Sequence, residues 1–169
     1  MHLNRYQAFA VHLTASAAVV GLFLLLTFFV WYPAPLFEVE GTRSVIQLLL
    51  GVDIILGPLL TLVVFKPGKP GLKFDLVIII VIQLSAFSYG ANIIFSERPA
   101  IVSFAVDRFV VIPVAEEKEL GMDKLDTQQV KLNTIGPTFV YAEQPEDTET
   151  SQKLLFEALE GKPDLEKRP

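Results

Sequence analysis

Hydrophobic and polar positions along this chain fall into two regimes that change near residue 96. Before it lie three apolar runs, Ala8–Trp31, Val45–Phe65 and Leu76–Phe95. A helix rising about 1.5 Å per residue needs roughly 20 such residues to cross a hydrocarbon core of about 30 Å. The pattern therefore predicts transmembrane helices at about 8–31, 45–65 and 76–95, within a membrane domain spanning 1–96. Phe28, Phe29, Trp31 and Tyr32 close the first run, and rings of these kinds suit the headgroup interface. That run exceeds the usual signal-peptide core of about 7–15 residues, so it is expected to remain as an anchor.

After residue 96 the pattern becomes that of a small α+β domain, expected over 97–161 with a frayed tail at 162–169. The stretch Ile101–Ile112 is rich in β-branched and aromatic residues and reads as one strand bounded by Pro99 and Pro113. Val114–Leu120 and Asp126–Leu132 read as short helices, with Asp126 as a cap, and Pro137–Tyr141 as a second strand. A last helix is expected over about Thr150–Glu160, with Leu154, Leu155, Ala158 and Leu159 on one stripe. A domain of this size holds little core, so it should lean on the membrane part, a partner or another copy of the chain.

Composition and charge sharpen this picture. The chain is 51% hydrophobic and only 20% charged, with mean hydropathy +0.47, which is a membrane composition. Residues 1–95 carry five Lys/Arg and four Asp/Glu, whereas 96–169 carry nine and fifteen, so the net charge of -5 comes from the C-terminal part. Such an acidic domain excludes a polyanionic partner such as nucleic acid. The link Lys66–Lys73 holds Lys66, Lys69 and Lys73 and is the most basic loop, which makes it cytoplasmic by the positive-inside rule. Three spans then put the N-terminus inside and the acidic domain outside.

Asp53 carries the most information of any single residue. A carboxylate near mid-bilayer costs about 2.5–3.5 kcal/mol on insertion scales, so it must be neutralised, paired or turned inward. Gly57 and Thr61 follow it at helical spacing and form a narrow stripe against which another helix can pack. Pro58 cannot donate to the carbonyl of Ile54, which leaves an acceptor free nearby. Depth matching places Asp53 near Gly21 of the first span and near Ser85 and Ser88 of the third, making those serines candidate internal partners. Asp53 either staples the three-helix bundle or binds a partner; ion conduction would need a chain of titratable groups, and His12, read as an interfacial packing residue, is the sole other candidate. With two histidines and no cysteine, no metal site, cofactor site or hydrolytic constellation is visible.

Several blocks resemble a known family. They are Trp31–Phe37, Gly51–Leu62, Phe65–Lys69, Leu72–Leu76, Arg98–Ala100 and the run Val106, Asp107, Arg108, Phe109. Together they are similar to type IV pilin accessory proteins of the TfpX/TfpZ type, over about residues 5–112. The resemblance implies a bacterial inner-membrane protein, without catalysis of its own, that assists pilus biogenesis as an accessory or chaperone of a type IV pilin. A pilin leader with its glycine and following Glu is missing, so the chain is expected to act on pilin. Read with the intramembrane carboxylate, this leads us to expect that Asp53, Gly57, Pro58, Thr61, Ser85 and Ser88 serve pilin-helix binding or bundle packing, and that Asp107, Arg108 and Phe109 contact the globular head. A small transporter or channel subunit using Asp53, or a pilin-modifying membrane enzyme, is the competing reading.

Overall fold

The computed structural model describes residues 3–38, 42–105, 108–120, 135–143, 145, 147–160, 162 and 167 of the chain. It divides into two compact units, Met1–Phe95 and Ser96–Pro169.

The first unit is built from three helices long and apolar enough to cross a bilayer: α1 (Arg5–Trp31), α2 (Thr42–Val64) and α3 (Leu72–Ser96). Helix α1 starts earlier than its apolar run because Asn4 and Gln7 form a reciprocal cap: the Asn4 side chain accepts from the Gln7 N–H at 2.8 Å and the Gln7 side chain accepts from the Asn4 N–H at 2.9 Å. Helix α3 likewise starts at Leu72 and takes the polar Lys73 and Asp75 into its first turn, after Gly71 in the left-handed region at φ 80°. Apolarity marks how much of a helix suits lipid, whereas capping and turn chemistry mark where it begins. Outward positions such as Leu22, Leu48, Val63 and Ile82 are exposed, as expected where the solvent for that surface is hydrocarbon.

Each helix buries one stripe. In α2 it runs Thr42, Ile46, Leu49, Asp53, Gly57 and Thr61, and in α3 Ile79, Gln83 and Ile94. At one end, Tyr32, Ile46 and Ile94 form a core with Phe23, Leu24 and Trp31 packed on it. The Tyr32 hydroxyl donates to the Ile94 carbonyl at 2.8 Å, which satisfies one of the acceptors that the last turn of α3 leaves unpaired. Tyr32 is therefore a buried clamp, although the sequence pattern places it in an interfacial aromatic cluster.

Two wide turns interrupt the α register. Residues Thr27–Trp31 of α1 and Gly51–Leu56 of α2 are π-helical, with the Tyr32 N–H bonding to Thr27 and the Gly57 N–H to Val52, each five residues back. The second surrounds Asp53, and such turns recur at functional sites.

In the second unit, β1 (Pro99–Ala105) lies between β2 (Arg108–Pro113) and β3 (Thr138–Tyr141), in the order β2-β1-β3. The single strand expected over Ile101–Ile112 is thus a hairpin: β1 and β2 are antiparallel, with Ala105 opposite Arg108. Two half-buried strands joined end to end read as one apolar run. Strand β3 pairs parallel with β1, and a short helix α4 (Val114–Glu119) follows β2. Ala100, Ile101, Ile112 and Val114 form the core, and the Val114 N–H bonds the Arg98 carbonyl at 3.0 Å.

The other sheet face is aromatic. Phe104 has Phe109 and Tyr141 as register partners, with ring centroids 4.8 Å and 6.0 Å away, and Phe109, Phe139 and Tyr141 are exposed. Helix α5 (Thr148–Leu159) forms as expected, capped by Asp147, yet it buries no residue, and Leu155, Phe156 and Leu159 are exposed. The helix expected at Asp126–Leu132 lies outside the described residues. In the stretch read as a tail, Lys167 reaches Glu116 at 2.6 Å.

Candidate functional site

The helical unit is packed at one end and open at the other. Beyond the core at Tyr32, Ile46 and Ile94, the helices border a groove of about 440 Å³. Ala8, His12, Ser16 and Val20 of α1 line it, with Asp53 and Thr61 of α2, and Ile80, Gln83, Leu84 and Phe87 of α3. Val19, Ile80 and Leu84 on its walls are half-exposed, so the groove opens to the outside of the bundle. Its walls are apolar and its floor is polar.

The floor is set by equal depth. Asp53 lies eleven residues before the end of α2 at Val64, and Gln83 eleven residues after the start of α3 at Leu72. At about 1.5 Å per residue both sit about 16 Å from the connecting loop, about half of the roughly 30 Å that a bilayer core measures. Gln83 Nε2 donates to the Asp53 carbonyl at 3.3 Å. That carbonyl is accessible for a backbone reason. In the wide turn, bonds run five residues back, and the residue five on from Asp53 is Pro58, which has no N–H to give. The Asp53 carbonyl thus receives no main-chain donor from Gly57 or Pro58 and takes the Gln83 amide.

Gly57 makes the contact possible. A Cβ at this position would overlap the Gln83 side-chain amide. The stripe Asp53, Gly57, Pro58 and Thr61 is buried within the helical unit. Ser85 and Ser88, by contrast, are exposed, and Ser85 Oγ donates to the Val81 carbonyl of its own helix at 2.8 Å. The internal partner of Asp53 is Gln83, and the serines do not meet it. Depth matched from the outer ends of the apolar runs, at Val45 and Phe95, falls at Phe87 between the two serines, which is why they stand out in the sequence.

His12 is also more than a packing residue. Its Nδ1 shares a hydrogen bond of 2.6 Å with Thr61 Oγ1, joining α1 to α2 near the groove mouth. Of the four buried side-chain oxygens without a hydrogen-bond partner among the described residues, two belong to groove-lining residues, Asp53 Oδ2 and Gln83 Oε1. A buried, unmatched acceptor is costly. Among the described residues no group of His, Cys, Asp or Glu is arranged to hold a metal ion.

Of the outer candidates, Phe109 and Arg108 are exposed at the start of β2, and Asp107 lies outside the described residues.

Three helices long and apolar enough to cross a membrane, together with a small α+β unit, are compatible with a membrane protein. A family model for the fimbrial assembly protein FimB matches residues 2–41. The chain is 40% identical over 118 residues to the fimbrial assembly protein of serogroups C1 and C2 of Dichelobacter nodosus, covering 68% of this chain and 87% of that one. It is 42% identical over 118 residues to the serogroup I protein of the same organism, and spans 44% of that relative's length. The serogroup E1 protein gives 39% identity and the same 44% share, so the chain spans under half the length of two curated relatives it matches. No solved structure matches. The chain belongs to the family of fimbrial assembly proteins, in agreement with the resemblance carried by its Gly51–Leu62 and Phe65–Lys69 blocks.

Proposed function

We propose that this protein is an accessory or chaperone of pilus assembly, holding a type IV pilin subunit in the bacterial inner membrane before it is incorporated. α1, α2 and α3 cross the bilayer with the N-terminus and the Lys66–Lys73 loop in the cytoplasm, and residues 97–161 form a periplasmic domain. The basic loop supports this orientation, because Lys-rich short loops stay on the cytoplasmic side. The single observation that carries the reading is the groove itself, an apolar trough between helices with a buried carboxylate on its floor. Helices associate in lipid through close packing and hydrogen bonds, and a trough of this kind offers both to a pilin helix.

The second contact is the outer unit. The exposed aromatic face carrying Phe109, Phe139 and Tyr141, with Arg108 at the start of β2 and Asp107 as a further contact, meets the globular head of the pilin and sets which pilin is accepted. A large exposed apolar face on a small domain marks an interaction surface. Binding without turnover suffices for this role.

The test is affinity capture of the native protein from membranes of cells making pili. Pilin should copurify, and deleting the gene should lower surface pili. Absence of pilin from the capture, with piliation unchanged by the deletion, would contradict the proposal.

A further inference from the structure

Asp53 and Gln83 both line the groove, and Asp53 Oδ2 and Gln83 Oε1 are buried with no hydrogen-bond partner among the described residues. Both residues are more than nine-tenths buried, at 5% and 7% exposure. Gln83 Nε2 donates to the Asp53 carbonyl, and His12 Nδ1 and Thr61 Oγ1 are bonded to each other. What remains is an acceptor pair, one oxygen from each of two helices, at one depth.

The chemistry of that pair selects its occupant. A lipid tail carries no donor. The backbone N–H groups inside a transmembrane helix are already bonded within it, so the donor must be a side chain or a chain-terminal amine. An N–H-rich cation fits best, because it can serve both oxygens and compensates the carboxylate in a dry setting. Shape points the same way. Ala8, Ala15 and Ser16 on the α1 wall are small enough for close approach of a helix, while the Tyr32 clamp closes the bundle beyond Val20 and Phe87.

We propose that the groove is the seat for one transmembrane helix of the pilus subunit, and that Asp53 and Gln83 together read an amine or other N–H donor that this helix presents at mid-membrane depth. This rests on the function proposed above and adds the site and the chemistry of recognition.

The chain has no cysteine, so single thiols can be placed at will. Ser16→Cys and Ile80→Cys put a photo-crosslinker on the groove walls, and Leu22→Cys and Val81→Cys put it on exposed positions away from them. In native membranes containing the subunit, adducts should form from Ser16→Cys and Ile80→Cys and be weak from the other two. Asp53→Asn and Gln83→Leu, each compared at equal amounts of membrane-inserted protein, should lower the groove adducts roughly tenfold, the worth of one charge-assisted hydrogen bond. If either variant fails to accumulate, the contrast among the four positions decides alone. Subunit that is captured but crosslinks equally from all four positions, or only lipid adducts in the groove, overturns the seat while leaving the accessory role intact. Loss of capture altogether overturns the accessory role.

Discussion

The amide of Gln83 on α3 donates to the main-chain carbonyl of Asp53 on α2 at 3.3 Å, across two helices that meet at equal distance from their connecting loop. This bond depends on three features of α2: the wide turn at Gly51–Leu56, the missing N–H of Pro58 and the missing side chain of Gly57. It joins the two groove-lining residues whose buried oxygens are unmatched among the described residues.

Gly57→Ala is expected to displace the Gln83 side chain and break the bond. Overpacking of this kind costs about 1–3 kcal/mol. Unfolding of the purified protein in detergent should show the loss, and Gln83→Ala in the same background should restore most of it, because the overlapping amide is then gone.

Tyr32→Phe removes the hydroxyl that satisfies the Ile94 carbonyl at the closed end of the bundle. A buried acceptor left unpaired costs about 1–3 kcal/mol, so the same unfolding measurement should report a clear loss. Pilin captured per folded molecule should stay unchanged, because Tyr32 does not line the groove.

Asp147 caps α5 by accepting from the N–H groups of Glu149 at 2.7 Å and Thr150 at 3.1 Å. Its hydrogen bonds with Thr150, then with Glu149, hold its carboxyl below the usual carboxylate range. The folded value lies below the unfolded one, so the cap is fully in force above about pH 4 and is lost as pH falls through the folded value. Amide exchange at Glu149 and Thr150 should therefore speed up, relative to the ordinary pH trend, on acidification below that range. Asp147→Asn, which keeps a capping oxygen without the charge, should remove the pH dependence while retaining α5.

Phe109→Ser and Tyr141→Ser lie on the exposed sheet face and should leave the outer unit folded, since neither side chain is in its core. Each should weaken pilin capture from membranes, and their combination should do so more strongly. Full capture by the double variant would remove this face from the account.

Much of the architecture was legible because lipid imposes a simple rule on sequence. The three helices follow from apolar length, and the buried stripe Asp53, Gly57 and Thr61 from helical spacing. Gln83 was not legible for a physical reason: depth matched from the outer ends of the apolar runs, at Val45 and Phe95, falls at Phe87 and passes it by. The signal that finds it is the stripe it shares with Ile79 and Ile94, a polar residue on an otherwise apolar face. The wide turn at Gly51–Leu56 leaves no mark in composition, since it changes the hydrogen-bond spacing and no residue type. The hairpin of β1 and β2 was hidden because no Gly or Asn separates Ala105 from Arg108.

Capture of pilin from native membranes by the wild-type protein, compared with Asp53→Asn at matched protein levels, tests the central claim most directly. A roughly tenfold fall in pilin per captured molecule, with the variant still inserted and folded, is the predicted result. Equal pilin recovery by both proteins would contradict a role for the groove floor in holding the subunit.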